Sequence, residues 1–308
     1  LLPTDIRTPA EMPTYLAGYH PFGFRADQMS PVVMVAKDED YRRDHSSNNA
    51  FKRVNVKVGP EGAIPEVDPS SSTTKYKTVD RLLGSFVPTI TEDNAAGGLY
   101  KPRQVAMKRI GWALALDREI DVMGSGGLLT TSGNWNANNV ATLGATAKWN
   151  GGSASDPLQD IDDRIVASAQ EVTDIWFNQQ GALDFLKHAS VRDQMRQMLG
   201  DGAADRSIGD VTSAGRKTVD FSIPGYPPFH VVASKVLNET TGLLDYVLGA
   251  TCILLTRPPG VPTDGEETAT SYTFRVRGNV GVGYETREFR VEGRGQKGGT
   301  MVVAYMSD

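Results

Sequence analysis

Residues 102–123 read PRQVAMKRIGWALALDREIDVM and are followed by Gly124. Proline is favoured in the first turn of a helix, where its missing N–H costs nothing, and glycine is favoured just past the last turn, so the stretch is delimited at both ends. Val105, Trp112, Leu116, Ile120 and Met123 form one apolar stripe at helical spacing, and Met107, Ile110 and Leu114 form a second. A helix with two stripes is covered on more than one side. At a rise of 1.5 Å per residue it would be about 33 Å long, enough to act as a beam across a whole domain.

Downstream, residues 124–155 (GSGGLLTTSGNWNANNVATLGATAKWNGGSAS) make a Gly, Ser, Thr and Asn-rich connector that reads as flexible. It stops at Asp156-Pro157-Leu158-Gln159, where Asp caps, Pro opens the first turn and Gln sits three residues after the cap. The helix that follows puts Leu158, Ile161, Ile165, Ala169 and Val172 on one face and Asp160, Asp162 and Asp163 on the solvated one. Asp174–Asn178 (DIWFN) reads as a short strand leading into a third helix from Gly181 to Leu199, closed by Gly200. Further strands are expected at Thr218–Ile223, Phe229–Ser234, Tyr246–Leu255, Tyr272–Val280, Arg287–Val291 and Thr300–Tyr305. Helices precede most strands and no βαβ order repeats, so the class is α+β rather than a doubly wound parallel sheet.

Upstream, Phe51–Val58 alternates, with Val54, Val56 and Val58 on one face and Arg53, Asn55 and Lys57 on the other, as a half-exposed strand does. The turn Gly59-Pro60-Glu61-Gly62 follows, then Ile64–Thr74, poor in large apolar side chains, before Lys75–Phe86 resumes regular structure. An isolated two-stranded ribbon is marginal in water. Residues 45–90 are therefore expected to project as a long hairpin that another copy of the chain orders. Residues 1–48 suit an extended arm anchored by Tyr15, Tyr19, Phe22 and Phe24, with one short strand at Pro31–Ala36. The residues expected to touch a neighbouring subunit are Tyr15, Phe22, Phe24, Arg53, Lys57, Glu61, Lys75 and Lys77.

The 308 residues are 39% apolar and 22% charged, enough for a proper core, and the net charge of −5 argues against an arm that condenses a polyanion. No transmembrane-length run or signal peptide is present, so the chain is expected to be made inside the cell. The single cysteine, Cys252, sits in an apolar run as a small buried thiol would. His20, His45, His188 and His230 have no second His or Cys at metal-ligand spacing. Gly209–Thr218 (GDVTSAGRKT) imitates a phosphate loop, yet has one residue too many between its glycines and Arg where Lys belongs. No catalytic residue, cofactor site or metal site is expected.

The order of parts, from arm and long hairpin through beam helix, glycine-rich connector and capped helix to closing strands, resembles the tailed-bacteriophage major capsid protein family with the Hong Kong 97-type fold. Trp149–Asp162 (WNGGSASDPLQDID), Leu186–Val191 (LKHASV) and Tyr272–Val303 with its GRGQKGG turn carry the local likeness. The resemblance implies an N-terminal arm at 1–48 and an extended loop at 45–92. It also implies a peripheral domain at 93–173 and 269–308 with its spine helix at 102–123, and an axial domain at 174–268. It further implies a structural shell protein of the virion, assembled in the host cytoplasm as hexamers and pentamers around double-stranded DNA bound without sequence specificity. Portal and scaffold proteins would be its partners, with a decoration protein left open and no membrane. Some members crosslink the extended loop through a Lys and an Asn; Lys52, Lys57, Lys75 and Lys77 lie in that segment, and no partner is matched. The rival within the fold is an encapsulin-like compartment, and outside it a phage tail or adhesion module or an enzyme.

Overall fold

The computed structural model describes residues 6–7, 24–36, 39–45, 71–95, 101–135, 137–151, 154–168, 170–200, 220–258, 269–276, 284–292, 294 and 298–308. The expected strand Phe51–Val58 lies outside them. In chain order the elements begin with β1 (Ile6–Arg7), α1 (Ala26–Met29), β2 (Val32–Val35), β3 (Glu39–His45), β4 (Ser71–Lys77), β5 (Asp80–Pro88) and α2 (Thr89–Asn94). The middle of the chain holds α3 (Pro102–Met123), α4 (Pro157–Ala167), β6 (Asp174–Asn178), α5 (Gln179–Lys187) and α6 (Ala189–Leu199). It closes with β7 (Phe229–Val232), β8 (Lys235–Leu237), β9 (Leu244–Tyr246), β10 (Ile253–Leu255), β11 (Thr273–Val276), β12 (Tyr284–Val291) and β13 (Gly299–Ser307).

The beam helix α3 has the bounds its sequence predicts, and Gly124 ends it because a Cβ there would meet the Ile120 carbonyl oxygen at 2.5 Å. Its second stripe packs on an antiparallel sheet of order β1-β12-β13-β5. Met107, Ile110 and Leu114 meet Val87 of β5 and Val302 and Ala304 of β13, alternate residues of strands that put every second side chain toward the helix. The first stripe is covered only over its later half, where Leu116, Ile120 and Met123 join a core with Trp176, Val232, Leu248 and Leu255. Trp112 remains 46% exposed, with Phe24 packed edge-on against it at 5.0 Å.

Strand β6 is the wall between two cores. Its Ile175 and Phe177 face α4, α5 and α6 beside Phe185, Phe221 and Phe229, and Trp176 between them faces the end of α3. All five of its residues are buried, as fits the central strand of the sheet β10-β6-β7. Asp156 caps α4 as predicted, its side chain accepting from the Gln159 N–H.

The structure corrects several expectations. The helix expected over Gly181–Leu199 is two helices, because His188 takes an extended backbone (φ −64°, ψ 140°) and serves as the start of α6. Helix α4 stops at Ala167, where Ser168 turns extended, and Val172 reaches the same core from the following segment. Tyr246–Leu255 splits into the end of β9 and β10, and of Thr218–Ile223 only Phe221 bridges, to Phe229, among the described residues. Residues 124–135 are not slack: Leu128 and Leu129 N–H groups return to Asp121 and Val122 carbonyls, and Trp135 Nε1 donates to the Leu129 carbonyl at 3.0 Å.

Two larger corrections concern the first ninety residues. Residues 24–36 are not an arm in need of a neighbour: Ala26, Met29 and Val33 are buried in the chain's own body, and β2 pairs in parallel with β11. Asp80–Pro88, expected within the projecting loop, is instead β5, zipped along the whole of β13.

Ile110 is 2% exposed between helix and sheet. Ile110→Ala is expected to cost about 2–4 kcal/mol, read as a lowered urea midpoint at unchanged slope; a loss below about 1 kcal/mol would mean that the helix–sheet contact is not the core of this layer.

Candidate interaction surfaces

Of the residues expected to contact a neighbour, Tyr15, Phe22, Arg53, Lys57 and Glu61 lie outside the described residues. Phe24 is used within its own chain, against Trp112. Lys75 and Lys77 stand on β4 opposite Tyr41 and Glu39 of β3, and Lys77 is exposed. The structure thus puts the two lysines on one ribbon and brings none of the other six beside them among the described residues.

That ribbon, β3 with β4, forms a sheet of its own, joined to no other strand among the described residues. Its two strands flank residues 46–70, which lie outside the described residues. Where the ribbon returns to the body, Val79 is 61% exposed, and Leu82 (69%) lies on the solvent side of β5, the edge strand of its sheet. On that same outer face Leu82, Gly84 and Phe86 sit opposite the half-buried Tyr305, Val303 and Met301. A second apolar projection is the β8–β9 hairpin, whose tip holds Leu237, Leu243 and Leu244 exposed. Asn238 stiffens this turn: its Oδ1 accepts from the Thr240 and Thr241 N–H groups and its Nδ2 donates to Asp245 at 2.8 Å.

The surfaces are carried by buried charge. Asp308 receives Arg118 of α3, Arg275 of β11 at 2.9 Å and Arg81 of β5 at 3.1 Å, while Asp27 of α1 also pairs with Arg118. Arg81 reaches on to Asp117 and Asp121 on the same helix. Burial alone would raise the Asp308 carboxyl, but Arg118, Arg275 and Arg81 outweigh it and hold it below its ordinary value. Asp174 behaves alike: burial opposes its charge, and His230, Arg257 and Thr173 override that and keep it well below the carboxylate range. Glu119, fully buried on α3, is pushed up to about 7 by burial, although the Arg25 and Ala26 N–H groups donate to it at 2.7 and 2.6 Å.

Sequence reasoning passed over all of these residues. The signal was present, since Arg118 continues the spacing Met107, Ile110, Leu114, and a charge on an apolar stripe is a buried charge needing a partner.

Chemistry is poorly provided for at the one Ser–His contact. Ser190 Oγ lies 2.8 Å from His188 Nδ1, but the carboxylate nearby, Asp156, meets the serine at 3.3 Å instead of orienting the imidazole as the third group of a triad does. Burial pushes the Cys252 thiol up to about 12, which keeps it from forming a thiolate. Among the described residues no His, Cys, Asp and Glu group is arranged to hold a metal ion, and no helix is long and apolar enough to cross a membrane.

No protein-family model and no curated protein matches the sequence. Solved structures do. A phage-related protein from Bordetella bronchiseptica superposes with a TM-score of 0.65 at 14% identity, covering 99% of this chain and 93% of its own. The capsid of a native GTA particle gives 0.53 at 11% identity over 94% of this chain and 86% of that one. A protein assigned as the capsid protein of an Escherichia coli CFT073 prophage gives 0.51 at 10% identity over 99% and 95%. The chain has the α+β fold of phage-type capsid proteins, the Hong Kong 97 type that its order of parts resembles.

Arg118, Arg275 and Asp308 have side chains 7%, 5% and 2% exposed. Asp308→Asn, which leaves Arg118 and Arg275 only the half-exposed Asp27 as an anion, is expected to lower stability by about 3 kcal/mol. Because Asp308 and Asp174 are held below the ordinary value of 3.8, their contribution is whole above that pH and fades as pH falls through their folded values. Urea midpoints measured from neutral to acid should therefore fall for the wild type and fall less steeply for Asp308→Asn; parallel curves would remove Asp308 from the account.

Proposed function

We propose that this chain is a major capsid protein, a structural subunit that assembles with copies of itself into the hexamers and pentamers of an icosahedral head around double-stranded DNA. The observation that carries the reading is the β3–β4 ribbon. A body with three packed cores gains little from a two-stranded ribbon that, among the described residues, pairs with no other strand, whereas a shell needs parts that reach beyond one subunit. The fold it shares with capsid proteins supports the same conclusion.

In this reading the ribbon and residues 46–70 form the extended loop, and the outer face of the β5–β13 sheet, with Leu82 exposed, receives the loop of a neighbouring copy. Helix α3 is the spine of the peripheral domain, residues 93–173 and 269–308. Residues 174–268 form the axial domain, whose leucine-tipped β8–β9 hairpin gathers around the centre of a capsomer. Residues 1–48 are the arm, of which 24–36 are the root seated in the body. A subunit that holds several neighbours at once gains avidity without any single contact being strong. The net charge of −5 suits a container into which DNA is driven, because strong attraction to phosphates would hinder its movement. Portal and scaffold proteins complete the assembly, and the chain does no chemistry of its own.

Deleting Gly59–Pro69 leaves β4 intact and removes the middle of the loop. The variant is expected to stay soluble with an unchanged melting temperature, yet to form no closed particles by size-exclusion chromatography and negative-stain microscopy. Normal shells from this deletion would overturn the proposal.

A further inference from the structure

Helix α3 buries one side and leaves the other open along its first half. Ala106, Met107, Ile110 and Leu114 are buried on β5 and β13, while Lys101, Gln104, Lys108, Arg109 and Trp112 are exposed. At about 100° per residue, Lys101, Lys108 and Trp112 fall within about 40° of one another around the axis, Arg109 lies about 60° further round, and Ile110 is on the opposite side. No acidic residue occurs from 101 to 116. The exposed carboxylates that follow, Asp117 and Asp121, are both met by Arg81, and the other cation of the first half, Arg103, pairs with Glu92 and Glu288. The open face thus carries Lys101, Lys108 and Arg109 beside one half-exposed indole, on a chain whose net charge is −5.

This face has a fixed relation to the rest of its layer. The sheet turns one side to α3 through Val87, Val302 and Ala304, and turns Leu82, Phe86 and Tyr305 the other way. The basic face of the helix and the outer face of the sheet therefore look in opposite directions. In a wall one subunit thick, one of them looks out and the other looks in.

We propose that the basic face of α3 is the inner surface of the shell, and that Lys101, Lys108 and Arg109 hold the phosphate backbone of duplex DNA. The inference rests on the shell reading above, and adds which side of the wall meets the DNA and through which side chains. Lysine and arginine on a helix surface position a phosphate backbone without reading its bases. Lys101 and Arg109 stand about 12 Å apart along the axis, close to the width of the major groove, so the two ends of the stripe reach phosphates of both strands. A regular polyanion suits this face better than an acidic peptide, because Trp112 is the only large apolar side chain it exposes and a folded partner would find no apolar centre to pack on. Three contacts make the attachment weak and salt-labile, and the acidic remainder of the chain confines it to the stripe. DNA entering under force then slides along the wall.

Fluorescence anisotropy of a short labelled duplex of mixed sequence, titrated with the full unassembled chain, tests the contact. Affinity should fall with salt at a log–log slope of about −3, roughly 0.9 for each phosphate. In Lys101→Glu/Lys108→Glu/Arg109→Glu, affinity at low salt should drop at least about tenfold and the slope should approach zero. The charge-matched reversal Lys187→Glu/Arg196→Glu/Lys235→Glu, at exposed cations elsewhere, should lose no more than about threefold. No binding by the wild type, equal losses in the two variants, or displacement of the duplex by polyglutamate more readily than by unlabelled DNA would each overturn the proposal. Should the triple reversal fold poorly, Lys108→Gln/Arg109→Gln keeps good helix formers at both positions and should flatten the slope by about 2; an unchanged slope counts against the contact.

Closed particles separate this inference from the shell reading. Added duplex should not bind to them, since the stripe is then inside, and binding retained at the wild-type level would place the stripe outside and refute the assignment. Particles formed by a stripe variant that binds DNA as the wild type does would sink this inference alone. A wild type that makes no particles would sink the shell reading, and the inner-surface assignment with it.

Discussion

One buried carboxylate organises the body. Asp308 gathers Arg118 from α3, Arg81 from the edge strand and Arg275 from the parallel pair, and Asp27 of the N-terminal turn backs Arg118 and Arg275. Three guanidinium groups brought together in a low-dielectric site repel one another, and each would be costly without an anion. Their joint demand fixes how helix, sheet and N-terminal turn meet, because each of the ion pairs joins two different elements. Apolar packing gives the layers cohesion, and the charge cluster sets their mutual position.

The remainder of the architecture divides by how much each segment can bury within its own chain. Helices α4, α5 and α6 close over Phe177, Phe185 and Phe229, and α3 closes over β5 and β13, so these layers are self-sufficient. The β3–β4 ribbon pairs with no other strand among the described residues, and the β8–β9 hairpin leaves its leucines exposed. Exposed leucines on a turn braced by Asn238 cost solubility, and a stiff turn presents them in one arrangement. The polar half of the edge strand limits the hazard, since Asp80 and Arg81 interrupt its apolar run.

What could be read in the sequence was whatever is decided locally. The bounds of α3 and β6 and the cap of α4 follow from Pro102 and Gly124, from the run DIWFN, and from Asp156-Pro157. What escaped was decided at a distance. Helix α1 is a single turn whose free N–H groups are met by Glu119, some ninety residues on, with |i−j| of 93 and 94, and nothing in its own composition announces that. The break at His188 is invisible to periodicity because Leu186 and Val191 on either side of it are both buried, as an unbroken helix would also have them. Strand β3 was hidden by its composition, EDYRRDH, which suits an exposed ribbon and no core. The candidate contact residues were the least legible, since residues with no periodic apolar pattern around them carry no local sign of what they touch.

The sheet that seats α3 joins parts of the chain that are made far apart in time. Ser307 bonds Thr78 across 229 residues, and β5 pairs along its length with β13. A ribosome therefore releases β5, α3 and both inner cores before the strand that completes the first layer exists. Throughout that interval Val87, Met107, Ile110 and Leu114 have no lid, and β5 is an open edge on both sides. Closure of this layer must wait for β13 to emerge, and the growing chain is at its most adhesive just before it does.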